Sequence, residues 1–196
     1  MIIKEATFKT SVANAKNLPD DMPEIVFAGK SNVGKSSLIN MLTSRKRLAI
    51  SSNTPGRTRL VNFFTINNAF YFVDLPGYGY SKSGKGAEMQ YSKLIETFLN
   101  TSKNIKHVFI LIDVRNGVGE NDKMLVDFCY GRLPFSIVCT KADKLSRSAA
   151  NLNKNKIATE LGIPKEQIIL SSSNDEKAKQ ALLLKIEEVL GEGNAK

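Results

Sequence analysis

Glu24–Ser36 reads EIVFAGKSNVGKS, and this stretch decides the fold. Its first half, Glu24–Gly29, is a short apolar run ending at glycine, the pattern of a buried strand. Its second half, Gly29–Ser36, satisfies GxxxxGK[ST] at every fixed position, and Ser36–Leu42 reads on as helix. A glycine-rich turn between strand and helix lets backbone N–H groups close around phosphate oxygens, and the helix N-terminus adds favourable partial charge. The pattern assigns Gly29, Lys30, Ser31, Asn32, Val33, Gly34, Lys35 and Ser36 to a phosphate cradle. In such a cradle the Lys35 ammonium reaches the β- and γ-phosphates and acts in catalysis, and the Ser36 hydroxyl ligates Mg2+. A glycine-rich turn without a ligand is the plainer reading, and it explains less.

Outward from this stretch, strand and helix patterns alternate. Leu60–Ile66 and Ala69–Leu75 are β-rich runs separated only by Asn67-Asn68, which predicts an antiparallel hairpin. Tyr91, Leu94, Ile95, Phe98 and Leu99 recur at helical spacing. His107–Val114 reads as a buried strand, Asn121–Tyr130 as helix, and Phe135–Thr140 as strand. A helix is expected within Ser148–Leu161, a last strand at Gln167–Leu170, and a final amphipathic helix carrying Leu182, Leu183, Ile186, Val189 and Leu190. Alternation of this kind predicts an α/β fold with helices on both faces of a mainly parallel, six-stranded sheet, and the hairpin supplies one antiparallel edge strand. Residues 1–22 are expected as an N-terminal extension packed on a domain of residues 23–191, with Met1–Lys9 extended and residues 192–196 a frayed tail.

The chain has 196 residues, 42% of them hydrophobic and 24% charged, the proportions of one ordinary folded domain. Its longest apolar runs, Ala69–Val73 and Val108–Ile112, are far too short to span a bilayer, and MIIKEATFKT lacks a signal peptide's apolar core. Cys129 and Cys139 form no CxxC, which fits a reducing cytoplasm and no membrane partner. Twenty-eight Lys+Arg against nineteen Asp+Glu leave a net charge of +9. Seven of the bases, Lys30, Lys35, Arg45, Lys46, Arg47, Arg57 and Arg59, fall between Ile25 and Val73, a span without a single acid. Such an excess suggests a polyanionic partner, nucleotide or RNA; a solvated basic surface is the plainer alternative.

Two further motifs fall at strand ends. Asp74, Leu75, Pro76 and Gly77 read DLPG, with Asp74 placed 38 positions after Ser36. A carboxylate there holds Mg2+ through its water shell, and the glycine N–H senses a γ-phosphate. Thr140, Lys141, Ala142 and Asp143 read TKAD, followed by Lys144. This matches [NT]KxD: Asp143 would accept hydrogen bonds from guanine N1–H and the 2-amino group, while the Lys141 stem covers the ring. Adenine offers neither donor and would leave the carboxylate unpaired. Ser171, Ser172 and Ser173 follow the next strand and could supply a backbone N–H to guanine O6.

With these motifs in this order, the stretches PEIVFAGKSNVGKSSLIN, SNTPGRTRLVNFF, FVDLPGYGYSK and VCTKADKL resemble the EngB family of bacterial Era-like GTPases, from Pro23 to about Leu145. The resemblance implies a Ras-like P-loop GTPase domain that binds GTP or GDP with Mg2+ and hydrolyses GTP. It further implies a role in assembly of the large ribosomal subunit, a link to cell division and septation, and a monomer. By residue type alone Thr54, Thr58 and Thr65 are all candidates for the remaining Mg2+ ligand. The family pattern implies Thr58 of Pro55–Thr58 (PGRT), as metal ligand and catalytic residue, with Gly56, Arg57, Arg59 and Leu60 at the nucleotide. The chain departs from the pattern in GYGYSKSGKGAEMQYSK, rich in glycine and lysine, and in VRNGVGEND, where the family usually has a histidine after Arg115.

Ras-type enzymes orient the attacking water with a glutamine directly after DxxG; here that position is Tyr78, so slow intrinsic hydrolysis is expected. Asn32 is a candidate ligand for K+ beside the phosphates, which would add a catalytic charge; its alternative is to stabilise the loop turn. Tyr78, Tyr80, Lys82 and Lys85 form a loop that either touches RNA or is simply solvated, and Arg45, Lys46 and Arg47 either meet RNA phosphates or complement a helix C-terminus. His107, Cys129 and Cys139 read as packing residues. A P-loop ATPase or kinase leaves TKAD without a purpose, and an RNA-binding module leaves the phosphate chemistry unexplained.

Overall fold

Valine, isoleucine and phenylalanine dominate the strand segments, and they assemble one seven-stranded sheet. The computed structural model describes residues 1–14, 17–50, 60–79, 85–172 and 175–191, side chains 85–92 aside. Gly56, Arg57, Thr58, Arg59, Tyr80, Lys82, Ser173 and the 192–196 tail lie outside the described residues. The strands are β1 (Ala6–Val12), β2 (Glu24–Gly29), β3 (Val61–Ile66), β4 (Phe70–Asp74), β5 (Ile105–Asp113), β6 (Phe135–Thr140) and β7 (Ile168–Leu170). Their order across the sheet is β1-β3-β4-β2-β5-β6-β7. The helices are α1 (Lys35–Thr43), α2 (Lys85–Thr101), α3 (Glu120–Cys129), α4 (Arg147–Leu161) and α5 (Glu176–Gly191).

β4, β2, β5, β6 and β7 run parallel, and β3 is antiparallel to β4. Asn67 and Asn68 both sit at positive φ, 50° and 51°, the two-residue turn whose twist matches a hairpin. Two expectations need correction. The sheet has seven strands rather than six, and its antiparallel strand is not the edge. The extension supplies β1, which pairs antiparallel with β3 from Ala6↔Ile66 to Val12↔Val61. The Asn67 side chain holds the entry to this strand: its Oδ1 accepts the N–H groups of Lys4 and Glu5, and its Nδ2 donates to the Ile2 carbonyl.

Because strand side chains alternate, each strand feeds two cores. One face carries Val26, Ala28, Ile110 and Ile112 against Ile95, Phe98 and Leu99 of α2, Leu125 and Val126 of α3 and Ile157 of α4. The other carries Ile25, Phe27, Phe109 and Leu111 against Leu38, Ile39 and Leu42 of α1 and Leu182 and Ile186 of α5. Phe27 lies at the centre, stacked on Phe109 at 5.6 Å and edge-on to Phe72 at 5.0 Å. The carboxyl ends of β2, β4, β5 and β6 therefore open along one rim, and all three motifs sit there.

Candidate phosphate and base site

The cradle is closed by its own backbone. Val33 is buried in the apolar layer beneath, and its N–H donates to the Lys30 carbonyl at 3.1 Å. Asn32 takes a left-handed conformation (φ 62°), so it occupies a turn position with its side chain exposed. Gly34 at φ 112° leads directly into α1, a conformation that favours glycine. The first turn of α1 holds no acid, so its positive end is free of an internal counter-charge. Lys35 is buried, and its ammonium pairs with the carboxylate of Asp74 at the end of β4. Ser36, the next residue, is half-buried.

The DLPG turn lies against this loop. The Leu75 N–H donates to the Phe27 carbonyl at 3.0 Å, which fixes the exit from β4. A Cβ on Gly77 would come within 2.9 Å of Ser31 Cα and 3.0 Å of Ser31 N, so only glycine fits that crossing. Immediately beyond, the Ser31 N–H donates to the Tyr78 carbonyl at 2.9 Å. The Tyr78 side chain turns inward, 5% exposed, and its hydroxyl donates to Asp122 Oδ1 on α3 at 2.6 Å. Asp122 Oδ2 accepts the Gly119 N–H at 2.8 Å. Burial and the adjacent carboxylate hold the phenol well above its ordinary pKa. Tyr78 is thus not part of a solvated RNA-contacting loop, because its only polar atom is spent inside the protein. Lys85 opens α2.

TKAD reaches across to the same loop. The Thr140 hydroxyl donates to the Val33 carbonyl at 2.6 Å. Lys141, also left-handed (φ 60°), donates to the Asn32 carbonyl at 2.8 Å and pairs with Asp113 at 3.0 Å. Asp113 receives Nε and Nη2 of Arg115 at 2.9 and 2.7 Å and the Arg115 N–H at 3.1 Å. Burial alone would raise the Asp113 carboxyl, but these Arg115 and Lys141 hydrogen bonds outweigh it and bring the pKa down to about 2. The Ala142 N–H donates to the Ser171 carbonyl at 3.1 Å, and the Ser171 N–H to the Cys139 carbonyl at 2.8 Å, so the serine turn is fastened to the TKAD turn. Asp143 stands at the surface beside Lys144, its carboxylate 39% exposed and 3.1 Å from that ammonium.

The structure therefore brings together Gly29–Ser36, Asp74–Gly77, Thr140–Lys144 and Ser171-Ser172 on one rim, and Leu60 enters β3 beside them in the chain. Sequence reasoning missed Asp113, Arg115 and Asp122, although all three lie in or beside VRNGVGEND. An acid ending an apolar strand with a base two residues later was the available signal. His107, by contrast, is a packing residue: it is buried, stacked edge-on against Phe109, and bonded through Nε2 to the Ser136 hydroxyl. Burial pushes the thiols of Cys129 and Cys139 up to about 12, so neither is reactive.

A buried lysine at a helix start, a strand-end carboxylate facing it, and a TKAD turn bolted to the same loop define a P-loop GTPase of Ras-like fold. The family described as "50S ribosome-binding GTPase" matches residues 24–141. A probable GTP-binding protein EngB from Caldanaerobacter subterraneus subsp. tengcongensis is 47% identical over 192 residues, covering 97% of this chain and 99% of its own length. Among solved structures, a probable GTP-binding protein engB superposes with a TM-score of 0.71 at 24% identity, over 86% of this chain and 99% of that one. Era, solved in complex with MgGDPNP and nucleotides 1506–1542 of 16S ribosomal RNA, gives a TM-score of 0.62 at 21% identity, over 87% of this chain and 56% of its own. The chain belongs to the EngB family of GTP-binding proteins.

Proposed function

We propose that this GTPase is a nucleotide switch in assembly of the large ribosomal subunit, working in the cytoplasm as a monomer. The observation that carries the switch reading is the pair of bonds from Thr140 and Lys141 to the Val33 and Asn32 carbonyls. They make the phosphate loop and the base-reading turn one rigid unit, so a guanine nucleotide is held at both ends by preorganised groups. In this reading residues 23–191 are the GTPase domain, and residues 1–22 are an extension that completes its sheet.

The roles follow from residue chemistry. Backbone N–H groups of the Gly29–Ser36 loop surround the phosphates, and the family pattern implies Gly56, Arg57, Thr58, Arg59 and Leu60 as further nucleotide contacts. Lys35 exchanges its Asp74 partner for β- and γ-phosphate oxygens, which releases the carboxylate. Mg2+ fits the donors present, because the Ser36 hydroxyl and the Asp74 carboxylate are hard oxygens, with Thr58 as the implied third ligand. Among the described residues no three His, Cys, Asp or Glu converge. A small divalent ion would thus be held largely by nucleotide and water, as is usual for Mg2+. When bound, the ion neutralises charge on the β- and γ-phosphates. Asp143 pairs with guanine, and the turn of Ser171, Ser172 and Ser173 supplies an N–H to its O6. Tyr78 is committed to Asp122, so no side chain at that position orients water, and intrinsic hydrolysis is slow. K+ at the left-handed Asn32 turn would add the missing positive charge; equal turnover in KCl and NaCl removes that role.

The ribosomal reading draws on the description of the matching family, on the 16S ribosomal RNA bound by Era, and on the charge of +9. A link to cell division and septation is consistent with a growth-coupled switch. GDP is expected to displace a fluorescent guanine nucleotide where ADP does not, and Asp143→Asn to shift preference toward xanthine nucleotides. Sedimentation with ribosomal subunits tests the partner: comigration with the large subunit in a non-hydrolysable GTP analogue, and not in GDP, is expected. Absence of binding in both states overturns the ribosomal reading.

A further inference from the structure

The turn that follows α1 carries charge that the nucleotide site does not use. Arg45, Lys46 and Arg47 are consecutive and exposed, and among the described residues no carboxylate comes within ion-pairing distance of them. They stand on a fixed frame. Ser44 closes α1 in the left-handed conformation (φ 53°), and the Arg45 N–H donates to the Asn40 carbonyl at 3.0 Å. The Asn40 side-chain amide then takes both backbone groups of Ala49: Nδ2 donates to its carbonyl and Oδ1 accepts its N–H, each at 2.8 Å. Asn40 pairs with Ala49 as a neighbouring strand would, and Leu48 and Ala49 pack into the apolar layer below. Both ends of the basic turn are therefore anchored.

Two further cations border it. Arg45 Nη2 reaches the carbonyl of exposed Lys4 at 3.4 Å, and Lys179 on α5 donates to the Ser44 hydroxyl at 2.8 Å. Among the described residues, Lys179 alone of the five basic residues in this group has a carboxylate within 4.0 Å, Glu176 at 3.9 Å. Favourable interaction with the helix dipole would need one cation in the last turn, not three held beyond it by a side-chain clamp.

We propose that the Asn40-clamped turn Arg45–Arg47, with Lys4 and Lys179, is a docking surface for the phosphate backbone of RNA. Protein partners are held mainly by clustered aromatic or apolar anchors; here Leu48 and Ala49 face the core, and beside them, among the described residues, only the single apolar side chain of Ile50 is exposed. What it offers outward is long cationic side chains, two of them arginines whose planar forks match phosphate oxygens. α1 spans nine residues, about 13 Å of rise, so the turn lies at the far end of that helix from the phosphate loop. Nucleotide and RNA can then be bound together. The proposal rests on the ribosomal reading for the source of the RNA, not for its chemistry.

The test is fluorescence anisotropy of the full chain, loaded with GDP, against labelled single-stranded and duplex RNA of about 20 nucleotides, from 50 to 200 mM KCl. R45Q/K46Q/R47Q is expected to weaken binding at least tenfold at 100 mM and to flatten the slope of log K against log[salt] by about 2 to 3. Asn40→Ala keeps every charge. It should keep the slope and weaken binding about 3- to 10-fold, because the freed turn is only partly in its binding conformation. Asn40→Ser, which adds no charge and keeps a hydroxyl able to donate or accept, serves if the alanine variant fails to bind GDP. Unchanged RNA affinity in the triple variant overturns the proposal. Full competition by polyglutamate overturns it in favour of an acidic protein. RNA binding that behaves as expected in a protein that ignores ribosomal subunits supports the surface and overturns the ribosomal reading instead.

Discussion

Replacing Tyr78 by phenylalanine removes the hydroxyl that occupies Asp122 Oδ1. Tyr78 and Asp122 are each 5% exposed, and the 2.6 Å bond between them joins the turn after DLPG to α3. Without the hydroxyl, Asp122 keeps the Gly119 N–H on Oδ2, but Oδ1 is left facing a ring edge. A hydrogen bond to a charged acceptor contributes about 1.5–3 kcal/mol, and an orphaned buried carboxylate oxygen puts this case in the upper part of that range. For a domain of this size, that lowers the melting temperature by about 4–10 °C. The same change loosens the Tyr78 carbonyl that accepts the Ser31 N–H, so GDP should also dissociate faster. Urea denaturation of Tyr78→Phe, Asp122→Asn and the double variant, with and without GDP, separates the terms. A coupling energy near 2 kcal/mol in the cycle is expected. A loss under 0.5 kcal/mol with no coupling would refute the reasoning.

Gly77→Ala drives a Cβ into the Ser31 backbone, and because neither loop can yield without the other, GDP affinity should fall more than tenfold by calorimetry. Arg115→Ala frees Asp113 from its bidentate partner, so the carboxyl rises from about 2 and Lys141 loses a fixed counter-charge; GDP should bind several-fold more weakly, with Arg115→Lys only partly restoring it. Glu24 is fully buried, with Oε2 accepting from Ser102 and Oε1 unpartnered, and burial raises its pKa to about 7. In the folded state it therefore holds its proton between 4.5 and 7, where the unfolded chain has released it, so its contribution costs about 3 kcal/mol of stability as pH rises through that window. His107 runs the other way. Burial, aided by the Lys185 charge, lowers its pKa to about 4, so stability is lost as pH falls from 6.5 toward 4. The two slopes oppose each other in the wild type. Glu24→Gln should unmask the histidine slope, and its stability relative to the wild type should change by about 3 kcal/mol between pH 8 and pH 4.5. Parallel profiles would refute this assignment.

The strands that carry the motifs were legible because each is a run of β-branched or aromatic residues buried on both faces, as Val108–Ile112 shows. The hairpin was legible from Asn67-Asn68 alone, since few residues tolerate two successive positive φ angles. β1 was not. In ATFKTSV only Ala6 and Val12 are buried, and a bulge between Phe8 and Thr10 breaks the alternation that would have marked a strand. At the site, the phosphate loop, DLPG and TKAD were readable because their chemistry is local in sequence. The bonds that join them were not. Thr140 meets Val33 across 107 positions, Tyr78 meets Asp122 across 44, and no periodicity encodes such pairs. Asp113 illustrates the difference, for it looked like the end of a strand and proved to pair with Lys141 of the TKAD turn.

The seventh strand has a consequence for the order in which the chain can be made. β1 leaves the ribosome before β3, and its pairing partners are spread from Val61 to Ile66, about fifty residues further along the chain. At about 5–20 residues per second, the first strand waits some seconds without its ladder. Its inward residues are few and small, Lys4 precedes it and Lys9 lies within it, so the waiting segment stays solvated rather than sticky. Once β3 pairs with β4, its other edge is open until β1 adds there, and Phe8 then lies edge-on to Phe64 at 6.0 Å. β1 thus covers the edge that β3 would otherwise present, and does so with a segment made well before its partner.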